Sequence, residues 1–551
     1  MSKAEGPELL RNPAGAGFAA AYEAGVPALA PFYAGWPWDP AAYERKAVEI
    51  SARFDAAARA RLRTLLRAVS GEARGRLEGV ARGEGFVVTT GQQAGLLGGP
   101  LFTLYKALSA VALADALQER LGVPVLPVFW VASEDHDWAE VKDVHLLDTA
   151  NRLQRVELAD PVGGAGDADG PGPSMARRKL DDGIHDVFRR LEEILPPTDF
   201  RDALLAGFRD AYAPGESVSD AFERLLATLL AATPLALIQA SDAELKRASV
   251  PVLRAELENG AAHEAAVRRT TAAFSAAGYE PRVAIADGAE NVFYESDGGR
   301  ERLVRDGDGW VTRGRGARLS RKQALEELEA HPVRFSPNVV LRPVVESAVL
   351  PTLAYVGGPA EVRYFAQTGC LFEAHGVGMP LVMPRASLTV VEGKTRKVLE
   401  KFALDVEDLG VPPQELAARV LADEMPPEVD AALKRVRGAI AEGYAALGEA
   451  VKQIDPTLKG PIGSARSATL SELGDLEKRV MRGLKSQNEI ALDQIEKARV
   501  NLFPTGKPQE RVLNPLQYLV RYGDEFMEQV RAAVDFELAG EAPEWTGVRC
   551  P

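Results

Sequence analysis

Apolar residues fall into three arrangements along this chain. Short unbroken runs occur at Gly85-Phe86-Val87-Val88-Thr89-Thr90, Val123 to Val131, Pro234 to Gln239, Leu353 to Val356 and Pro380 to Met383. Their continuous hydrophobicity suits parallel strands buried on both faces. Between the first two, Pro100 opens a helical pattern that runs through Gln118. Strand, glycine loop, helix and strand make one βαβ unit, the start of a doubly wound sheet. Helical periodicity forms the second arrangement, over Tyr43 to Ala81, in patterns reaching Ala232, and over Ala243 to Ala277. Gly163 to Pro173, rich in Gly, Pro and Asp, reads as the entry to an inserted module. Between Pro281 and Arg315 the turn signals Asp287-Gly288, Asp297-Gly298-Gly299 and Asp306-Gly307-Asp308-Gly309 predict a small β insertion.

The third arrangement follows Val390, where the chain becomes almost wholly helical. Leu433, Val436, Ile440, Tyr444, Leu447, Val451 and Ile454 recur at 3-4-4-3-4-3 spacing, a heptad seam. After a break at Asp455-Pro456 and Gly460-Pro461, a second stripe runs from Leu470 to Leu502. The pair predicts an antiparallel coiled-coil hairpin, with an ordinary helical bundle as the alternative. The expected class is α/β, a Rossmann-like core with two insertions and a C-terminal helical coiled coil. Residues 1–150, 233–280 and 331–390 supply the core, 151–232 a helical insertion, 281–330 the β insertion and 391–551 the coiled coil.

Composition narrows the function. At 551 residues the chain is long enough for about three to five domains. A net charge of −14 argues against nucleic acid as a partner, whose affinity comes from basic patches. No apolar run reaches the length of a membrane span, and Met1 to Pro7 lacks the apolar stretch of a secretory signal. Two cysteines, Cys370 and Cys550, rule out a disulfide framework or a four-cysteine metal site. A cytoplasmic, reducing setting is expected.

Four constellations carry candidate chemistry. Thr89-Thr90-Gly91-Gln92-Gln93-Ala94-Gly95 leads from the first strand toward the first helix, where open α/β sheets bind ligands. It matches neither a dinucleotide fingerprint nor a phosphate-binding P-loop. Its paired glutamines can donate to a carboxylate and accept from an amine. Lys106, on the same helix face as Thr103, can neutralise an anion, although a lysine early in a helix is more often a solvated charge. Ser133-Glu134-Asp135-His136-Asp137 follows the second strand, and suits acid–base work or orientation of an amine. Asp137 with Glu140 also has capping-box spacing. No histidine stands at metal-pairing distance from His136, so no metal is expected there. Asn338 and Arg342, in Phe335 to Pro343, are polar groups in an apolar setting. Gly357-Gly358-Pro359-Ala360-Glu361 repeats the glycine-turn design and suggests a second wall of one pocket. For Arg342 a buried salt bridge is the plainer alternative. In Asn501 to Arg511 the Gly506-Lys507 pair and Arg511 can receive a phosphate, or simply form a helix-joining loop.

Taken in order, Thr90 to Gly95, Gly99 to Lys106, Pro127 to Asp137, Phe335 to Pro343, Met383 to Ser387 and Asn501 to Asn514 resemble the signature of the BshC family, over about residues 10–535. These are the cysteine-adding enzymes of bacillithiol biosynthesis. The resemblance implies a core similar to class I synthetase-type nucleotidyltransferases, two connective-peptide insertions and a coiled coil that serves as dimer contact. It implies a ligase that joins L-cysteine to the amine of glucosaminyl malate. By position it implies a core pocket of Thr90, Gln92, Gln93, Lys106, Glu134, Asp135 and His136. Gln92, Gln93, Glu134, Asp135 and His136 are the expected catalytic residues, and Thr90, Gly91, Lys106, Asp137, Asn338 and Arg342 the expected substrate contacts. It also implies an ATP- or ADP-type nucleotide site, to which Arg385, Lys507 and Arg511 are assigned. The signature loops of class I synthetases are absent, so the means of carboxyl activation does not follow from the sequence. Two other readings stand beside this one: an adenylating or nucleotidyl-transferring enzyme with another amine acceptor, and a non-catalytic coiled-coil scaffold.

Overall fold

Six strands form the central sheet of the computed structural model, which describes residues 6–161, 172–296, 299–314, 317–423, 425–538, 545 and 547–550. In spatial order they are Leu381–Pro384, Thr352–Gly357, Phe86–Gln92, Val125–Val131, Ala236–Gln239 and Arg67–Ala68. The first five are parallel and the short Arg67–Ala68 edge is antiparallel. The chain winds outward from Phe86–Gln92 through Val125–Val131 to Ala236–Gln239. It then returns to lay Thr352–Gly357 against the other edge of Phe86–Gln92. That reversal is a topological switch point, where the carboxyl ends of neighbouring strands leave a crevice.

Burial explains the strands. Val87, Val88, Val125, Leu126, Val128 and Val131 are wholly buried, as both faces of a parallel sheet are covered. The helix Leu101–Leu121 packs on both Phe86–Gln92 and Val125–Val131. Pairing runs in register from Phe86 with Val125 to Gln92 with Val131. Gln93 and Ser133 to His136 therefore leave the sheet side by side.

The helical stretch expected over Tyr43 to Ala81 is broken. Helices Pro40–Arg53, Ala56–Ala60 and Leu62–Leu65 precede the edge strand, and Gly71–Ala81 follows it. Asp55 and Ser70 accept from the amides of Ala58 and Ala73, starting new helices where an unbroken one was expected. The β insertion is a five-stranded antiparallel sheet ordered Arg318–Leu319, Gly309–Thr312, Gly299–Asp306, Ala289–Ser296, Phe335–Pro337. The Asp297-Gly298 turn, most of Gly163 to Pro173 and the first five residues lie outside the described residues. No helix among the described residues is long and apolar enough to cross a membrane.

Two compact units divide the chain. One is Val391–Gln509; the other joins the described residues up to Val390 with those from Glu510 onward. The sequence reading ran the helical unit to residue 551, whereas the chain beyond Gln509 packs with the sheet-bearing unit. Cys370 and Cys550, 180 residues apart, are joined by a disulfide. Their separation in sequence concealed a proximity that only the returning tail creates. In the helical unit, Pro427–Ala450 and Lys459–Gln487 run antiparallel. Arg437 pairs with Glu477, and the Tyr444 and Thr469 hydroxyls lie 2.8 Å apart. No residue of Pro427–Ala450 is buried.

The returning tail supports the glutamine loop. Asn514, buried, donates to the carbonyls of Leu97 (3.0 Å) and Gly99 (2.7 Å) and accepts from the amide of Leu516. Leu97 takes a positive φ of 50° in this turn. Asn514→Ala should cost about 2–4 kcal/mol, because it removes three buried hydrogen bonds worth ~0.5–1.5 kcal/mol each. Urea unfolding followed by tryptophan fluorescence measures the loss, and an unchanged midpoint would overturn it.

Candidate active site

At the switch point a cavity of about 1750 Å³ opens beyond the strand ends. Its lining includes Gly91, Gln92, Gln93, Lys106, Glu134, Asp135, His136, Asp137, Asn338 and Arg342. Arg385 and Arg511 line it too. Thr90 does not. Its hydroxyl donates to the Val356 carbonyl (2.8 Å) and serves to stitch two strands together.

Lys106 sits one turn into its helix and is nearly inaccessible. Its ammonium donates to the Gly91 carbonyl (2.7 Å) and Gln92 Oε1 (3.0 Å), and meets Glu361 Oε2 at 2.5 Å. The solvated-charge alternative therefore fails for this lysine. Burial lowers its pKa, while Glu361 favours the charged form. Burial raises the Glu361 carboxyl, but Lys106, Tyr355 and the Gly358 amide outweigh it and hold that carboxyl below the usual range. Gly91 is required here, since a Cβ at that position would stand 2.8 Å from the Trp130 carbonyl oxygen.

The second constellation folds around the first. Gln93 Nε2 donates to Asp135 Oδ2 (2.6 Å) and Glu140 Oε2 (2.7 Å). Asp135 Oδ1 accepts from the His136 amide at 2.7 Å. Asp137 makes no side-chain cap on the short helix Trp138–Val141, so the capping box does not form. Gln93 has taken the Glu140 carboxylate that such a box needs. His136 Nδ1 lies 3.4 Å from Arg300 Nη1, and its pKa is lowered, chiefly by burial and next by that guanidinium. Glu134 pairs with Lys246, whose ammonium also donates to the Phe335 carbonyl (2.6 Å).

Arg342 is engaged by Glu346 (2.6 Å) and the Tyr364 hydroxyl (3.1 Å), the salt bridge that the plainer reading expects, while it still lines the cavity. Asn338 Nδ2 donates to Asn291, while its Oδ1 accepts from the amides of Val340 and Leu341. Arg385 is held on two arms by Glu510, at 2.8 and 2.6 Å. Lys507 is exposed and belongs to the helical unit.

The family model for the BshC N-terminal Rossmann-like domain of bacillithiol biosynthesis matches residues 8–386, and that for the BshC C-terminal coiled-coil domain matches residues 388–538. The chain belongs to the BshC family. A relative from Salinibacter ruber is 38% identical over 84% of this chain and 83% of its own length. Others from Symbiobacterium thermophilum and Koribacter versatilis are each 33% identical, over 83% and 87% of this chain and 83% and 86% of their own lengths. All three carry the name "Putative cysteine ligase BshC".

Residues that the sequence reading missed complete this BshC pocket. Arg300 comes from the β insertion and lies over the Phe293 ring at 3.9 Å. Behind the lining, Lys246 stands in the first turn of the helix Ala243–Ala276, on its buried face, and holds Glu134 from there. Nothing local marks Arg300; for Lys246 the available signal was a lysine on the apolar face of a helix. Glu361 lay in a quoted motif but was read as part of a wall.

Lys106→Met should destabilise the sheet-bearing unit by about 3–5 kcal/mol, as it leaves a buried carboxylate without its partner. Lys106→Met combined with Glu361→Gln should recover part of that loss. Thermal unfolding of both variants checks this, and equal midpoints for wild type and Lys106→Met would refute it.

Proposed function

We propose that this protein joins L-cysteine to the amine of glucosaminyl malate, forming the amide that completes bacillithiol. One observation carries the reading. In a chain of net charge −14, the cavity is lined by nine Lys and Arg against seven Asp and Glu. A net positive cavity at a switch point suits a substrate rich in carboxylates, as the malate part of glucosaminyl malate is, and can also receive the single carboxylate of cysteine. The names of the relatives point to the same chemistry.

In this reading Gln92, Gln93, Glu134, Asp135 and His136 are the catalytic set. The attacking amine arrives as an ammonium and must lose a proton. Burial and Arg300 keep the His136 imidazole neutral at pH 7, so it can accept that proton at its accessible nitrogen. Asp135, fixed by Gln93 and the His136 amide, orients the ammonium before transfer. Gly91, Asp137, Asn338 and Arg342 shape the substrate wall. Thr90 acts behind it, holding the strand. Amide formation also needs the cysteine carboxyl on a better leaving group than hydroxide. For a nucleotide's phosphates we assign Arg511, which lines the cavity; Lys507 belongs to the helical unit and is left out of this site. Arg385, engaged by Glu510, positions the wall instead. The reaction is placed in the cytoplasm, where the Cys370–Cys550 bond would be reduced.

Cells that lack the protein should accumulate glucosaminyl malate, and wild-type protein should restore the thiol product. Gln92→Ala, Asp135→Ala and His136→Ala should each lower product formation by about 10²-fold or more while remaining folded. Since the His136 pKa is below 6.5 and its neutral form is the active one, the acid limb of wild-type activity should lie below pH 6.5. Wild-type turnover in all three variants, measured by mass spectrometry, would sink the site assignment.

The same proposal includes a homodimer through the coiled coil. Val436 and Leu447 of the seam remain 46% and 47% exposed in the single hairpin. Apolar seam positions left open in this way suit a second copy across a two-fold axis. Val436→Glu should shift the protein toward monomer in light scattering at micromolar concentration. A wild type that is already monomeric there would refute the dimer.

A further inference from the structure

Away from the pocket lining, two of the six histidines meet one carboxylate. His263 Nδ1 stands 2.6 Å from Glu256 Oε2, and His375 Nε2 stands 3.0 Å from the same oxygen. Glu256 is fully buried, and the side chains of His263 and His375 are 7% and 1% exposed. All three ligand atoms lie within 4.8 Å of one another. In a straight helix, residues seven apart are separated by about 10.5 Å along the axis. Here the helix Ala243–Ala276 departs from helical geometry at Asn259 (φ −123°, ψ 15°), between Glu256 and His263. Those two side chains thereby reach one point. His375 arrives from the end of the helix Gly369–Ala374.

We propose that Glu256, His263 and His375 bind one divalent transition-metal ion of the zinc type.

Charge is the first reason. Among the described residues no Lys or Arg makes a contact ion pair with Glu256, although Arg302 attracts it from further off, and a buried carboxylate without a contacting cation is costly. The imidazole rings lie 4.5 Å apart, so charging both would set two cations against each other. A single divalent ion supplies both charges without that repulsion. Donor chemistry is the second reason. Two imidazole nitrogens and a carboxylate oxygen form a three-protein-ligand set suited to zinc, with distances of about 2.0–2.2 Å. Neighbouring ligands on a tetrahedral ion stand about 3.3 Å apart, so loading opens the cluster by a few tenths of an ångström. The third reason lies beside the cluster. The Glu290 carboxylate presses on Gly260, midway between the two helix ligands, and its buried Oε2 has no hydrogen-bond partner among the described residues. It stands outside the three-ligand cluster, so a bridging water would link it to the fourth position.

The ion would act as a positioning element for the pocket. Glu256 Oε1 accepts from Asn291 Nδ2 (2.8 Å), and Asn291 Oδ1 accepts from Asn338 Nδ2 (2.8 Å). Asn338 in turn holds the amides that precede Arg342. A metal fixing Glu256 therefore fixes the far end of a chain that terminates in the cavity wall.

The test uses full-length protein with any affinity tag removed. After dialysis against a chelator, Zn²⁺ is titrated in competition with a chromophoric chelator. Wild type and the surface variant His185→Gln should each bind one equivalent. His263→Gln and His375→Gln should bind at least about 100-fold more weakly. X-ray absorption of zinc-loaded wild type gives a readout that needs no variant, and it should show imidazole in the first shell. No bound equivalent in wild type, unchanged binding in both folded variants, or a zinc shell without imidazole would each overturn the proposal. None of these readouts depends on the cysteine-adding activity.

Discussion

The Lys106 ammonium joins the carboxyl end of the first core strand, through Gly91 and Gln92, to Glu361 in the helix that follows Thr352–Gly357. A charge is tolerated at that depth only because carboxylate and carbonyl oxygens surround it. Its place at the reversal of strand order means that the two walls of the crevice share one buried ion pair. The rest of the site inherits its geometry from this junction. Gln92 is oriented by Lys106, Gln93 follows it into the cavity, and Gln93 in turn orients Asp135 and Glu140.

Electrostatics in the cavity come from parts of the chain far apart in sequence. Arg300 belongs to the antiparallel β insertion, yet it lies beside His136 and helps hold the imidazole neutral. Burial pushes Arg300 down to about 10, which still leaves it charged at pH 7. The insertion thus adds to the effect of burial on a residue of the Rossmann core. The tail has a comparable role through Glu510, which claims Arg385, and Asn514, which secures the turn at Leu97 to Gly99.

Much of the fold was legible locally. The five parallel strands lie within two residues of where unbroken apolar runs placed them, because burial on both faces leaves a continuous signature. The glutamine loop and the Glu134-Asp135-His136 segment were legible as strand-end chemistry for the same reason. Where local signals competed, the reading failed. Asp55 and Ser70 look like ordinary polar residues in a helical stretch until their caps are seen. Asp137 has the spacing of a capping box, but its partner Glu140 is engaged by Gln93.

By itself, the sequence determined the α/β class, the βαβ start of the sheet, the heptad hairpin and the presence of polar groups at strand ends. Each of these is written in short-range periodicity or adjacent residues. Tertiary structure alone decided that Lys106 is buried rather than solvated, that Arg342 is engaged by Glu346 and Tyr364, and that Thr90 stitches strands. It also decided that Cys370 meets Cys550, that Arg300 enters the site while Lys246 holds Glu134 from behind it, and that His263 and His375 converge on Glu256. These outcomes rest on contacts between residues tens to hundreds of positions apart or on opposite sides of a helix break. No local pattern encodes a distance of that kind.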